Sequence, residues 1–379
     1  MGNHVSNLKI KTMFIGTSFP FDETDWRGRF TANVIHSLNN QDILSLGSWL
    51  PPGELSENIN NLTTYNDARW LRQLMLQGGI AHIIRTRKLY SIYSISVLLS
   101  RLRRVYKKEA KNFDVVHVNW LQNSIPLFGT SVPLLISVLG NDYGMLEFPG
   151  MKYLLRTIIR KRKCVISPNA PWMAPKLMDV FGDIAEIRPI PYGVDNIYFD
   201  INRNLLKPNR RKWIVISRLT KNKIGPLFSW GKGIFNNNNE LHLFGPMQEK
   251  ITLPAWINYH GPVSPGELIS KWYPVCSGLI TLSRHNEGMP QVMLEAMAAG
   301  VPIIASDLPA HRDIIINGIS GYIVRDAQEF RNAIENLTSH NLIATIGNNA
   351  RSWIVDNIGT WDDCADRFVK AYKYLLERK

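Results

Sequence analysis

Cysteine is scarce. Cys164, Cys276 and Cys364 are the only three in 379 residues, too few and too scattered for a disulfide framework or a zinc site, and such a chain suits a reducing cytoplasm. Acidic residues are outnumbered, 31 Asp and Glu against 44 Lys and Arg, for a formal net charge of +13. That imbalance points to a polyanionic partner or an anionic membrane surface. Long hydrophobic runs are missing too. Residues 90–99 and 132–139 are short or interrupted by Ser, well below the roughly 20 residues of a membrane helix. The N-terminus lacks a secretory pattern. It matches the myristoylation pattern through Gly2 and Ser6, but a pattern this short arises readily by chance. There is no repeat at solenoid periods and no convincing Asp-x-Asp metal site. What remains is 45% apolar, which argues against disorder, and long enough for two ordinary domains.

The most informative stretch is 283–307, SRHNEGMPQVMLEAMAAGVPIIASD. A polar loop turns at Pro290 into strong helix formers, stops at Gly300 and continues as a buried strand over 301–305. Pro just inside a helix and Gly just past it are the expected punctuation. Val292, Met293, Leu294, Ala296 and Met297 make the helix apolar nearly all round, so it is predicted to be buried. Glu295 is the exception, because a buried carboxylate needs donors from the protein or from a ligand. Upstream, Glu287 and Gly288 stand where the first helical N–H groups favour anions. A phosphorylated, hydroxyl-rich ligand satisfies both ends. A salt bridge from Glu295 to a core Arg, with Glu287 as a mere cap, satisfies them equally.

This stretch resembles the carboxylate motif of the large retaining glycosyltransferase family with the GT-B fold, in which two Glu residues with seven between them bind a sugar nucleotide. Glu287 and Glu295 have that spacing, and EGMP, LEAMAAGVPIIASD and NGISGYIV are similar to the family as well. The resemblance implies that Glu295 holds the ribose hydroxyls and that Glu287 touches the donor sugar. It further implies that the amides near Gly288, Met289 and Pro290 face sugar or phosphate.

Along the chain, strands are predicted at 8–16, 43–49, 113–119, 133–140, 164–167 and 186–191. After a linker at 201–212, whose Pro, Arg and Lys suit one, they resume at 213–216, 241–245 and 279–282. This alternation with helices reads as two open α/β sheets, residues 1–205 completed by a returning helix at 361–379, and residues 206–360. Ligands of such sheets collect at the carboxyl ends of the strands. That places His117, Asn119, Asn141 and Asp142 as acceptor-side candidates, with Asp142 set apart as a carboxylate lacking an obvious packing task. Leu139 stands where many relatives have a His. Arg218 and Lys223, five apart in the loop after strand 213–216, suit a diphosphate, Arg through its fork and Lys as a point charge. In the resembling family that spacing is the pyrophosphate clamp, although Ile224 replaces a usual Gly. By the same resemblance Gly28 faces the donor phosphates and the backbone at Val263 meets the base.

Two basic clusters, one within 85–111 and one over 156–163, are interleaved with apolar residues, a pattern of helices lying on anionic lipid. The resulting expectation is an α/β protein of the GT-B fold, two Rossmann-like domains with a cleft between them. It would be a retaining hexosyltransferase, taking sugar from a nucleotide-diphosphate sugar to a glycan or lipid-linked glycan for cell-surface polysaccharide. Glu287, Arg218, Lys223 and Asp142 would carry the chemistry, with no metal, cofactor or nucleic acid, at the inner face of a membrane. The alternatives are a nucleic-acid-binding protein driven by its charge and a GT-B sugar-nucleotide epimerase.

Overall fold

The structure, a computed structural model, describes residues 9–22, 25–80, 83, 88–140, 142–205, 211–285 and 287–377. The chain divides into two compact units. One comprises residues 1–192 together with 361–379, and the other residues 193–360.

The first unit is built on seven parallel strands: β1 (Ile10–Ile15), β2 (Leu44–Trp49), β3 (Asn60–Asn61), β4 (Val115–Asn119), β5 (Leu134–Val138), β6 (Cys164–Pro168) and β7 (Glu186–Ile187), in the order 3-2-1-4-5-6-7. The sequences VVHVN, LLISV and CVISP of β4 to β6 are buried at every position, as expected of parallel strands covered on both faces. The helix Trp361–Leu376 supplies much of that cover. Its Trp361, Cys364, Ala365, Phe368, Tyr372 and Leu375 recur at helical spacing and join Phe14, Val115, Leu135 and Val165 in one core.

The second unit repeats the plan with six parallel strands: β8 (Arg211–Ile216), β9 (Asn239–Phe244), β10 (Ile257–Gly261), β11 (Gly278–Thr281), β12 (Ile303–Ser306) and β13 (Gly321–Val324), in the order 10-9-8-11-12-13. Trp213, Leu241, Leu243, Ile280, Ile304, Phe330, Ile334 and Ile346 form its core. In each sheet the order reverses beside the first strand, between β1 and β4 and between β8 and β11. Such a reversal opens a crevice beyond the strands' carboxyl ends.

Residues 193–205 belong to the second unit, whereas composition placed the boundary after residue 205. Hydrogen bonding explains why. Asn204 N donates to Pro274 O at 2.7 Å, and Arg351 reaches Ile201 O at 2.8 Å. Arg203 also donates to the carbonyls of Tyr273 and Cys276. Residues 211–212, counted with the linker, instead open β8.

Candidate functional site

The crevice of the second sheet is lined by the loops leaving β8 and β11. After β8, Thr220 caps the short helix Lys221–Ile224, its hydroxyl accepting from Lys223 N at 3.2 Å. Ile224, where a glycine was expected, is buried in the core, and the glycine stands one place later. Gly225 has φ 55°, and a Cβ there would lie 1.8 Å from Leu282 O, so only glycine lets the two loops come this close. Arg284 N donates to Asn222 O at 2.8 Å and stitches them together. Further in, Ser306 Oγ donates to Ser283 O at 2.6 Å, and His311 Nδ1–H donates to Ser306 O at 2.7 Å. Burial, helped by the charge of Lys223, pulls His311 down to about 4, so it is a neutral support.

On this frame Lys223 Nζ meets Glu287 Oε1 in an ion pair, both side chains mostly buried. Burial first, and then the like charge of Arg218, draw the Lys223 ammonium down to about 7. Arg218 is exposed at the end of β8. Two cations and a carboxylate therefore gather at one switch point, and a diphosphate there would meet a positive field.

Gly288, Met289 and Pro290 are buried where the chain enters the helix Gln291–Ala298. The sequence suggested a helix apolar all round, but only one side is. Met293, Leu294, Ala296, Met297 and Ala298 are buried, while Gln291, Val292 and Glu295 are half-buried. Gln291 Nε2 donates to Gly193 O at 2.7 Å. Glu295, one turn on, lies close enough to the buried Tyr273 to help raise its pKa, after burial itself. Arg351 holds the far end of this helix through Ala298 O at 2.8 Å. Val263 follows the edge strand β10, two strands from β8.

In the first unit the candidates take different parts. Gly28, φ 72°, caps the helix Arg29–Asn39, and the space its side chain would fill is taken by Ser18 and Phe19, 2.5 Å from an added Cβ. Its glycine is required by the chain's own crossing. His117 has a packing role in the core. Fully buried, it is bonded through its ring nitrogens to the hydroxyls of Tyr372 at 2.7 Å and Ser137 at 2.8 Å, and burial lowers its pKa to about 3. Asn119 is also buried, with Nδ2 3.4 Å from Thr31 Oγ1. Asp142, expected to have no packing task, has one: its two oxygens accept from Leu121 N at 3.0 Å and Leu139 N at 2.9 Å, tying the ends of β4 and β5. Burial raises it to about 6 against the pull of these N–H groups. Asn141 lies outside the described residues, as do Gly2 and Ser6.

Much of the basic surface is also committed internally. Arg101 pairs with Asp67, Arg156 with Asp183, and Arg103 donates to the carbonyls of Pro126 and Phe128. Buried Arg162 donates to Thr130 Oγ1 and to three carbonyls, and Lys163 to Tyr374 O. Arg104, Lys107, Lys108, Lys111, Arg160 and Lys161 remain exposed, while Arg85 and Arg87 lie outside the described residues. Among the described residues no helix is long and apolar enough to cross a membrane.

Sequence reasoning overlooked Trp120, whose backbone is left-handed at φ 70°. A large aromatic directly after a strand-ending Asn was the available signal.

Comparison with known proteins agrees with this geometry. Spore coat protein SA of Bacillus subtilis is 28% identical over 149 residues, 38% of this chain and 38% of that protein. The match thus spans well under half of the relative. Among solved structures, sucrose-phosphate synthase from Thermosynechococcus elongatus superposes with a TM-score of 0.68 at 15% identity, covering 97% of this chain and 99% of that one. Anabaena HepE in complex with UDP-glucose does so with a TM-score of 0.64 at 14% identity, covering 96% and 100%. At such identities the likeness is one of fold, two Rossmann-like units of the GT-B class. Residues 227–340, which include β9 to β13, Glu287 and Glu295, match the family described as Glycosyl transferases group 1, a similarity that lies within the second unit.

Proposed function

We propose that the protein is a retaining glycosyltransferase that moves a hexose from a nucleotide-diphosphate sugar to a glycan or lipid-linked glycan. The observation that carries this reading is the meeting of Arg218, Lys223 and Glu287 at the switch point of the second sheet. The bond between the anomeric carbon and the β-phosphate oxygen breaks with its electron pair on the diphosphate. The acceptor hydroxyl bonds to that carbon and passes its proton to an oxygen of the departing diphosphate. Charge builds on the leaving diphosphate, so fixed cations act most strongly in the transition state. In this reading Lys223 exchanges Glu287 for phosphate, which frees the carboxylate for the donor sugar's hydroxyls, while Glu295 takes the ribose. The residues assigned to phosphate neutralisation are side chains, so activity is expected to persist in EDTA. Complexes of HepE with UDP and UDP-glucose support a uridine nucleotide as the first donor to try.

A thermal-shift screen against UDP, GDP, ADP and their sugar conjugates tests the donor site, since a ligand of the folded state raises apparent stability. A shift with one nucleotide, abolished in Lys223→Ala, supports the assignment; no shift with any of them in folded protein counts against it. Proton NMR of the glycoside product then shows whether the anomeric configuration is kept. The outward basic residues Arg104, Lys107, Lys111, Arg160 and Lys161 support docking of the first unit on anionic lipid at the inner face of a membrane.

A further inference from the structure

Among the described residues Trp120 is the only one other than glycine with positive φ, at φ 70° and ψ 136°. Strain of this kind persists where the surroundings over-determine it and is concentrated at sites that bind or react. Here the surroundings are specific. Trp120 N donates to Ser137 O at 2.8 Å, Asn123 N donates to Trp120 O at 3.1 Å, and the Asp142 carboxylate grips the next amide, Leu121 N. The strained residue is thereby fixed at the carboxyl end of β4, beside the reversal of the first sheet. Trp120 is half-buried, its indole edge-on to Phe30 with centroids 6.2 Å apart, and Phe30 stacks on Tyr192 at 5.7 Å.

A second observation marks the same place. Asn119 Oδ1, Asn123 Oδ1 and the Tyr192 hydroxyl are buried without a hydrogen-bond partner. Asn119 and Asn123 flank Trp120 in the chain, and the ring of Tyr192 stacks on the same Phe30 that Trp120 meets; buried oxygens without a partner have capacity left to accept from the hydroxyls of a ligand.

We propose that Trp120 is a stacking platform for a pyranose ring of the acceptor, the indole face lying against the ring's C–H face, with the orphaned oxygens nearby for its hydroxyls. This rests on the glycosyltransferase reading and adds to it a specificity-determining residue and a ligand class. An aromatic face is the apolar surface that a sugar ring can cover while its hydroxyls stay hydrogen-bonded.

The full chain is tested by ligand-observed saturation-transfer NMR with p-nitrophenyl glucoside, galactoside, mannoside and N-acetylglucosaminide as probes. At least one probe is expected to bind, to weaken roughly fivefold to tenfold in Trp120→Ala, the scale of one aromatic contact, and to be largely kept in Trp120→Phe. The thermal shift with nucleotide should be the same in all three. Should Trp120→Ala not fold, wild-type protein carrying 5-fluorotryptophan gives a second measurement. The fluorine resonance absent from Trp120→Phe should move on adding the bound probe. Undiminished binding in Trp120→Ala, an unmoved resonance, or no pyranoside binding by protein that does respond to nucleotide would each overturn the platform and leave the glycosyltransferase reading standing. Loss of the nucleotide response in wild type would instead fell that reading.

Discussion

Lys223 shows how a single residue reports on its site. Its pKa in the folded chain is about 7, below the ordinary 10.5, so between those values the unfolded chain binds more protons. Its contribution to stability therefore rises with pH from about 7 upward. Diphosphate binding needs the ammonium, so affinity should run the other way, falling as pH rises through about 7 by at most tenfold per pH unit. Calorimetry with the responding nucleotide from pH 6 to 9 checks the sign, and Lys223→Arg should flatten the profile. Arg218→Ala should lower kcat/KM about 100- to 1000-fold, the scale of one lost transition-state donor. Trp120→Gly should relieve backbone strain of about 1–3 kcal/mol and raise the Tm, net of lost packing. At this scale the sequence was legible where chemistry follows spacing. Arg218, Lys223, Glu287 and Glu295 were singled out by type, interval and resemblance, and the ion pair of Lys223 with Glu287 brings two of them together. His117 did not, since its partner Tyr372 is 255 residues away and nothing local tells a bonded core histidine from a strand-end ligand. Asp142 was misjudged for a related reason: its partners are backbone N–H groups, which leave no mark in a side-chain pattern.

Helices and strands were more readable than their margins. Alternation of apolar runs with helical stretches located most of the longer strands to within a few residues, because buried parallel strands are apolar at almost every position, but it missed β10, an edge strand of sequence INYHG with three exposed positions, and β13. The helix Gln291–Ala298 was foreseen from Pro290 and Gly300. Its half-buried side was not, since composition cannot show which face turns away from the core. The next helix packed on it, His340–Asn357, comes so close that a Cβ at Gly347 would lie 2.1 Å from Gly300 O. Gly347→Ala should cost about 1–3 kcal/mol through overpacking and lower nucleotide affinity by shifting the helix that carries Glu295, which denaturant unfolding and titration can separate. Glu295→Ala should weaken nucleotide binding with little loss of stability. An unchanged affinity would sink the ribose assignment.

For the whole molecule, net charge was a cruder guide than length. The count of +13 foretold a basic surface but not that Arg101, Arg103, Arg156 and Arg162 serve as internal fasteners. Charge reversal at those positions would test folding. Reversal at Arg104, Lys107, Lys111, Arg160 and Lys161 should instead weaken vesicle binding by about 1 kcal/mol per residue near the surface, measured by co-sedimentation with phosphatidylserine vesicles. Truncation after residue 360 removes Phe368, Tyr372 and Leu375 from the first core. It should unfold that unit while the second keeps its nucleotide response.

The returning helix Trp361–Leu376 also sets an order of events on the ribosome. The first unit's core holds Val34, Ile35 and Leu38 of the helix Arg29–Asn39 from early on, but lacks Phe368, Tyr372 and Leu375 until the entire second unit has been synthesised, at about 5–20 residues per second a delay of about 10–30 s. The unit translated later is thus the earlier one to have its whole chain in hand. A nascent chain stalled between residues 193 and 360 leaves part of that apolar core uncovered, a surface for a chaperone to shelter.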